Sequence, residues 1–230
     1  LGLLSTFGML GRTSRLKIFA PECYASLFEQ QMDFFMQGMT YEIEFVPVDT
    51  TLQKVVYEDH SVTVETVPLR HRVPCCGYIF REKPTLPHIR RDMIDYYGIP
   101  LSQINNIKNG ADWTTPEGDI VPNSRLVEPA DAPRSYAYCS DTCYLPDLYE
   151  RVKDVTVLYH ESTYTSENED RAKIYYHSTA HQAALVAQKA GAGRLLLGHY
   201  SARYNNENVL LEEAKAVFPE SYLAQEGMVF

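Results

Sequence analysis

The sequence contains no uninterrupted run of the ~18 apolar residues that a membrane-spanning helix requires, so we predict no membrane span. Its first residues lack the positive charges, apolar stretch and cleavage site of a secretory signal peptide. Internal repeats and low-complexity tracts are absent too. These absences argue against integral membrane and repeat proteins, and they favour a cytoplasmic globular protein with no membrane partner.

Cysteine is scarce, and its five residues follow neither a disulfide framework nor a zinc-clamp spacing. We therefore expect reduced thiols that mainly serve packing, as is usual for cytoplasmic proteins. The residues are Cys23, Cys75, Cys76, Cys139 and Cys143.

Positive charge is in the minority, with 21 Lys and Arg against 30 Asp and Glu, for a net charge of −9. Because phosphates attract Lys and Arg, this balance argues against a broad nucleic-acid-binding surface. It leaves a local basic patch open, and an acidic cluster that binds metal would also lower the net charge.

The chain is long enough, at 230 residues with 45% apolar content, to bury a substantial core. Periodicity predicts that strands and helices alternate in its C-terminal part, which is typical of an α/β (α+β) fold with helices covering a sheet. There the predicted strands are 135–139, 155–159, 194–197, 222–225 and 228–230, and the predicted helices are 145–152, 179–190 and 207–217. Upstream we predict helices at 1–10 and 21–38 and strands at 16–21, 41–48, 53–57, 61–67 and 76–81.

Residues 84–133 differ from the rest, because they hold seven of the thirteen prolines and the single tryptophan, Trp113. We interpret them as an insertion that protrudes from the core, with helices near 88–97 and 101–109. The domain organisation predicted is a core in two parts, 1–83 and 134–230, interrupted by an arm at 84–133.

Four apolar strand segments end in residues able to bind a metal ion or move a proton. In α/β proteins such residues gather where the carboxyl ends of the strands meet loops, so these endings could converge on one site. The residues are His71, Asp141, His160, Glu161 and His199.

Imidazole and carboxylate ligands together favour zinc or a similar first-row ion, and Asp141 could bridge two ions with its two oxygens. His177 lies just before a helix predicted to begin with a capping box formed by Thr179 and Gln182. The positive end of that helix should lower the pKa of His177, whereas pairing with Glu161 should raise it. Such a pair could protonate a leaving alkoxide. Taken singly, each histidine is more often a hydrogen-bonded loop residue, and His160 fits that role better than a ligand role.

Six segments occur in a fixed order: "LLSTFGMLGR", "PLRH…GY", "SDT", "HEST", "YYHSTAHQAA" and "GHYSARY". Over essentially the whole chain they resemble the ribonuclease Z family, which has the αββα sandwich of the metallo-β-lactamase fold. The resemblance implies that His71 and His199 each bind one zinc ion and that Asp141 bridges the two. It also implies that Glu161 and His177 are the proton-transfer pair.

The same resemblance implies two zinc ions per intact subunit, although manganese would suit the ligands, and a homodimer that removes 3′ trailers from precursor tRNA. Segment 84–133 resembles the flexible arm with which the family holds tRNA. Its Gly-Pro-rich turn is altered here to "GIPLSQINNIKNG". Phosphate contacts by Arg90, Arg91 and Lys108 are a hypothesis.

One family motif, HxHxDH, is expected just before "LGLLSTFG" and is not among these 230 residues. It supplies most of the remaining metal ligands and an aspartate that orients the attacking water. We therefore expect an N-terminally truncated sandwich and predict that these residues alone bind zinc weakly and do not cleave precursor tRNA. Metal analysis and a cleavage assay test this, and normal zinc content with turnover would contradict it.

Two alternatives stay open at this point. One is a different hydrolase of the same fold, such as an arylsulfatase-like enzyme or a cyclic phosphodiesterase, against which the arm argues. The other is a non-catalytic fragment that binds RNA.

Overall fold

The computed structural model describes residues 1–229. The chain divides into two compact units. The first consists of Leu1–Asp59, Thr63–Phe80 and the chain from Ser135 onward, and the second of His60–Val62 and Arg81–Arg134.

Thirteen strands occur in residues 1–229: β1 Leu16–Pro21, β2 Ile43–Val48, β3 Val55–Glu58, β4 Val62–Pro68, β5 Cys76–Glu82, β6 His88–Ile89, β7 Trp113–Thr114, β8 Ile120–Val121, β9 Val127–Glu128, β10 Ser135–Cys139, β11 Val157–Glu161, β12 Arg194–Gly198 and β13 Ser221–Leu223. The same residues form nine α-helices: α1 Gly2–Met9, α2 Ala25–Phe35, α3 Arg91–Tyr97, α4 Leu101–Lys108, α5 Asn123–Leu126, α6 Leu148–Arg151, α7 Glu169–Tyr175, α8 Ala180–Ala190 and α9 Asn208–Lys215.

The main sheet has seven strands in the order β13-β12-β11-β10-β5-β4-β3. Strands β10 to β13 are parallel to one another, whereas β3 and β4 form an antiparallel pair. Because β10, β11 and β12 run in one direction, their carboxyl ends meet at the same edge of the sheet.

Helix α8 covers this sheet with a face of small residues, since six of its eleven positions are buried alanine or valine. The helix begins with the predicted capping box, in which Thr179 accepts from Gln182 N and Gln182 accepts from Thr179 N. It ends at Gly191, whose φ of +65° is a left-handed conformation that glycine adopts without strain. Alanine faces let the helix approach the buried Leu158 and Leu197 closely.

Strands β1 and β2 form a separate parallel pair in the first unit. Helices α1 and α2 contribute to a small apolar core beside this pair, centred on Leu4, Phe28 and Met36. The first unit therefore contains two cores, of which the larger lies under the main sheet.

The second unit has its own core of Ile99, Ile107, Val121 and Leu126. Trp113 packs against these residues. Its strands form two antiparallel pairs of two residues each, β6 with β9 and β7 with β8.

The element boundaries differ from prediction in several places. The segment predicted as one helix at 21–38 is a 3-10 turn at Glu22–Tyr24 followed by α2. Helix α2 ends at Phe35, because Met36 leaves the helical conformation. The helix predicted from residue 88 begins at Arg91, because His88–Ile89 pairs as a strand. Of the strand predicted at 228–230, residues 228 and 229 are not in a strand and Phe230 lies outside the described residues.

Within residues 1–229, no helix has the length and apolar character needed to cross a bilayer.

Candidate active site

Three of the predicted site residues, Asp141, Glu161 and His199, lie at or just after the carboxyl ends of the parallel strands β10, β11 and β12. In the register of the sheet, Cys139 of β10 lies opposite His160 of β11, and Glu161 lies opposite Gly198 of β12. Asp141 and His199 therefore follow their strands by two residues and one residue, next to Glu161.

Asp141 and His199 face each other, with Asp141 Oδ1 at 2.9 Å from His199 Nε2. Both residues have left-handed backbone conformations, with φ of +56° and +57°. Asp and His enter this region more readily than most residues, yet such conformations store strain and cluster at functional sites. The backbone thus turns sharply at both strand ends and directs the two side chains toward each other.

A hydroxyl group links His199 to Glu161. Thr163 Oγ1 donates to Glu161 Oε2 over 2.6 Å. His199 Nδ1 lies 2.8 Å from Thr163 Oγ1. Because a hydroxyl carries one hydrogen, this network assigns the donor role to His199 Nδ1–H. His199 Nε2 is then left with a lone pair that is directed toward Asp141, as a metal ligand requires.

The Glu161 carboxylate is fully buried and accepts hydrogen bonds from four donors. Thr142 N donates over 2.6 Å, Thr163 Oγ1 over 2.6 Å, Ser178 N over 2.9 Å, and His177 Nδ1 lies 3.1 Å away. Burial alone would raise the pKa of Glu161, but the hydrogen bonds from His177, Thr163 and Ser178 outweigh it and lower the pKa. Glu161 is therefore a buried anion held in place by its donors.

His177 precedes the capped start of α8, as predicted, and its Nδ1 donates to Glu161. The hydrogen bond to Glu161 raises the pKa of His177 despite partial burial. The side chain is 14% exposed, so one edge of the ring reaches solvent while the other meets the carboxylate. The direction of this shift is the one predicted for pairing with Glu161.

His71 lies beside His177 and belongs to the loop that follows β4. Its Nδ1 donates to the Tyr176 carbonyl oxygen over 3.0 Å, which leaves Nε2 available. The ring centroids of His71 and His177 are 5.1 Å apart, and those of His177 and His199 are also 5.1 Å apart. The His177 ring therefore lies next to both other imidazoles.

Asp141, Glu161, His177 and His199 each offer a ligand atom, and these atoms lie within 4.8 Å of one another. This set is able to hold a metal ion, but its members are not equivalent. Glu161 already accepts from four donors, so it orients its neighbours better than it could ligate a cation. Asp141 and His199 are partly exposed and have free lone pairs, which suits them as ligands.

Several supporting residues have no counterpart in the predicted site. Glu161 accepts hydrogen bonds from Thr142, Thr163 and Ser178. These three residues belong to the segments "SDT", "HEST" and "HST", whose hydroxyl groups could have indicated such donors. Glu213 of α9 accepts from Ser166 N and His181 N, both over 2.9 Å, and so joins the segments that follow Glu161 and His177. Nothing local in the sequence around Glu213 indicates this role.

His160 and the basic residues of the second unit are not members of the ligand set Asp141, Glu161, His177 and His199. His160 is buried and its Nδ1 donates to the Glu161 carbonyl over 2.8 Å, in keeping with the hydrogen-bonding role predicted for it. Arg90 forms an ion pair with Asp92 at 2.6 Å, which reduces the charge it can offer to a phosphate. Arg91 is exposed and Lys108 is half-buried.

Comparison with known proteins identifies close relatives, although no protein-family model matches the chain. A ribonuclease Z of Bacteroides fragilis is 49% identical over 228 residues, which span 99% of this chain and 75% of that protein. A ribonuclease Z of Phocaeicola vulgatus is 50% identical over 228 residues, spanning 99% of this chain and 74% of that protein.

Two solved structures share the fold at low sequence identity. The metallo-β-lactamase fold protein YhfI from Bacillus subtilis superposes with a TM-score of 0.63 at 16% identity, covering 100% of this chain and 70% of that one. The short form of human tRNase Z gives a TM-score of 0.60 at 19% identity, covering 100% of this chain and 71% of that one. The chain therefore belongs to the ribonuclease Z family and has the metallo-β-lactamase fold.

Proposed function

We propose that the protein is a zinc-dependent endoribonuclease that removes 3′ trailers from tRNA precursors by phosphodiester hydrolysis. The observation that carries the proposal is the pairing of a buried Glu161 with His177, directly beside the facing Asp141 and His199. This arrangement combines a proton donor with a ligand set in one place, as hydrolysis of a phosphodiester needs. The ribonuclease Z relatives support the choice of RNA as substrate.

His71, Asp141 and His199 are the residues that would hold zinc. The donor set fits, because the site offers imidazole nitrogens and a carboxylate, because hydrogen bonds to Tyr176 and Thr163 engage Nδ1 of the two histidines, and because Nε2 of His199 faces the Asp141 carboxylate. Manganese would suit the same ligands. When bound, such ions polarise the phosphate and favour ionisation of the attacking water.

In the reaction that we propose, water adds to phosphorus and the bond between phosphorus and the 3′ oxygen breaks. His177 delivers its proton to the departing 3′ oxygen, so that the tRNA ends in a 3′ hydroxyl and the trailer begins with a 5′ phosphate. Glu161 keeps the His177 ring oriented through Nδ1 and stabilises its protonated form, which is what the raised pKa of His177 reflects.

The second unit would act as the arm that holds the body of the tRNA, and the protein would work as a homodimer in the cytoplasm. The five cysteines are free thiols, which supports a reducing compartment. Of the three basic residues predicted to contact phosphate, Arg91 is the best candidate. It is exposed and forms no ion pair that the structure of residues 1–229 shows.

The test is cleavage of a precursor tRNA by the complete protein that carries these residues, supplied with zinc, with both product ends mapped. His177→Gln should lower kcat by about 10²- to 10⁴-fold, the usual contribution of a positioned general acid. His181→Gln, four residues further along and outside the ligand set, should leave kcat unchanged.

Other outcomes would contradict the proposal in distinct ways. Turnover of a small phosphodiester or an aryl sulfate without cleavage of precursor tRNA would indicate a different hydrolase of this fold. Binding of precursor tRNA without cleavage would indicate an RNA-binding module.

A further inference from the structure

A cavity of about 300 Å³ lies directly beside His177 in the first unit. Its volume is at the lower end of the range for small-molecule pockets, so a single nucleotide fits and a double helix does not. We call it the Arg70 pocket. Its lining includes Arg70, Tyr144, Lys173, Tyr176, His177 and Gln182.

One wall of the Arg70 pocket is the ring of Tyr176, the residue whose left-handed backbone ends α7. Tyr176 has a φ of +61°, which is rare for a residue other than glycine. Its carbonyl oxygen accepts from His71 Nδ1, and the next residue is His177, so both sides of Tyr176 are tied to the active site. Strain of this kind persists where the surrounding structure imposes it, which is common in binding sites.

The guanidinium of Arg70 lies 5.9 Å from the centroid of the Tyr176 ring. A planar cation over an aromatic ring forms a surface on which an unpaired base can stack, as in proteins that bind single-stranded nucleic acid. Arg70 is itself exposed, so a ligand can reach this surface from solvent.

The charge within the pocket also favours an anion at Arg70. Lys173 forms an ion pair with Glu169 at 2.8 Å, so these two charges compensate each other. Across the part of the chain that the structure describes, Arg70 has no carboxylate within ion-pair distance. A phosphate is the anion that a ribonuclease substrate would bring to such a cation.

We infer that the Arg70 pocket binds the one nucleotide on the 5′ side of the scissile bond, with its base against Tyr176 and Arg70 and its own 5′ phosphate near the Arg70 guanidinium. The inference rests on the proposed function, because His177 is there the donor to the 3′ oxygen of that nucleotide. Since His177 lines the pocket, the nucleotide that carries this oxygen is the one closest to it.

The experiment measures KM for two substrates with the complete, zinc-loaded protein, both unaltered and with the substitution Arg70→Ala. Two precursor tRNAs are compared, one natural and one with an abasic site at the nucleotide before the cleavage position. Loss of the base should raise KM about tenfold for the unaltered protein, since stacking of one base contributes about that much. Arg70→Ala should raise KM for the natural substrate by a similar factor.

The decisive result is the combination of the two changes. If the base stacks on Arg70, loss of the base should raise KM clearly less for Arg70→Ala than for the unaltered protein, because part of the contact that the base makes is then already absent. Effects that multiply would show that Arg70 and the base act independently, and they would overturn the inference.

Arg171→Ala is the matched control, because Arg171 is an exposed arginine of α7 outside the pocket lining. It should change KM for neither substrate, whereas an equal effect of Arg171→Ala and Arg70→Ala would reduce the role of Arg70 to general attraction and overturn the inference. Failure of the unaltered protein to cleave any precursor tRNA would instead contradict the proposed function.

Discussion

Asp141→Asn should lower cleavage of precursor tRNA by about 10³-fold and greatly reduce bound metal, because charge stabilisation by bound ions contributes several kcal/mol to such hydrolysis. The substitution removes the negative charge that faces His199 Nε2 at 2.9 Å. Asparagine tolerates the left-handed backbone conformation found here, with φ of +56°, so the fold should be retained.

Asp154 provides a matched control, because it is also an aspartate with a left-handed conformation, at φ of +55°, and lies outside the ligand set. Asp154→Asn should leave metal content and cleavage unchanged. Metal content measured by elemental analysis and initial cleavage rates check both variants. Full metal content together with full activity in Asp141→Asn would rule out Asp141 as the bridging ligand.

Glu161→Leu should lower the free energy of unfolding by about 3–5 kcal/mol, as expected when one partner of a buried charged network is removed. The leucine would leave Thr142 N, Ser178 N and Thr163 Oγ1 without their buried acceptor. Each unsatisfied buried donor costs about 1–3 kcal/mol, and local rearrangement toward solvent recovers part of that.

Urea unfolding in the presence of a chelator measures this effect without a contribution from bound metal. Glu167→Leu serves as the control, since Glu167 is exposed in the segment that follows the site. The control should shift the free energy of unfolding by less than about 0.5 kcal/mol. Equal stability of Glu161→Leu and the unaltered protein would mean that the donors around Glu161 are satisfied in another way.

Asp141→Asn and Glu161→Leu test two different contributions of the site, the first to metal binding and activity and the second to the stability of the fold. Asp141 lies at the exposed side of the cluster and should matter mainly for metal and activity, whereas Glu161 lies beneath it and should matter for stability as well. A protein in which both changes affected only stability would be inconsistent with a metal-dependent hydrolase.

Much of the site could be predicted because its residues follow directly after strands. Runs of apolar residues indicated β10, β11 and β12, and the polar residues after them marked the carboxyl ends. The capping box of Thr179 and Gln182 was equally local, since both partners lie within one helical turn. Helix α7 was not predicted, because only Ala172 of its seven residues is buried and no apolar period indicates it.

The sequence by itself determined most strands of the main sheet, the residues that follow β10, β11 and β12 and the capped start of α8, because these depend on patterns within a few neighbouring residues. Tertiary structure alone decided the ionisation of Glu161 and the formation of the Arg70 pocket. Burial by itself would raise the pKa of Glu161, and two of the donors that lower it, His177 and Ser178, lie 16 and 17 positions away along the chain. Such contacts form only when distant segments fold together, so no local pattern encodes them.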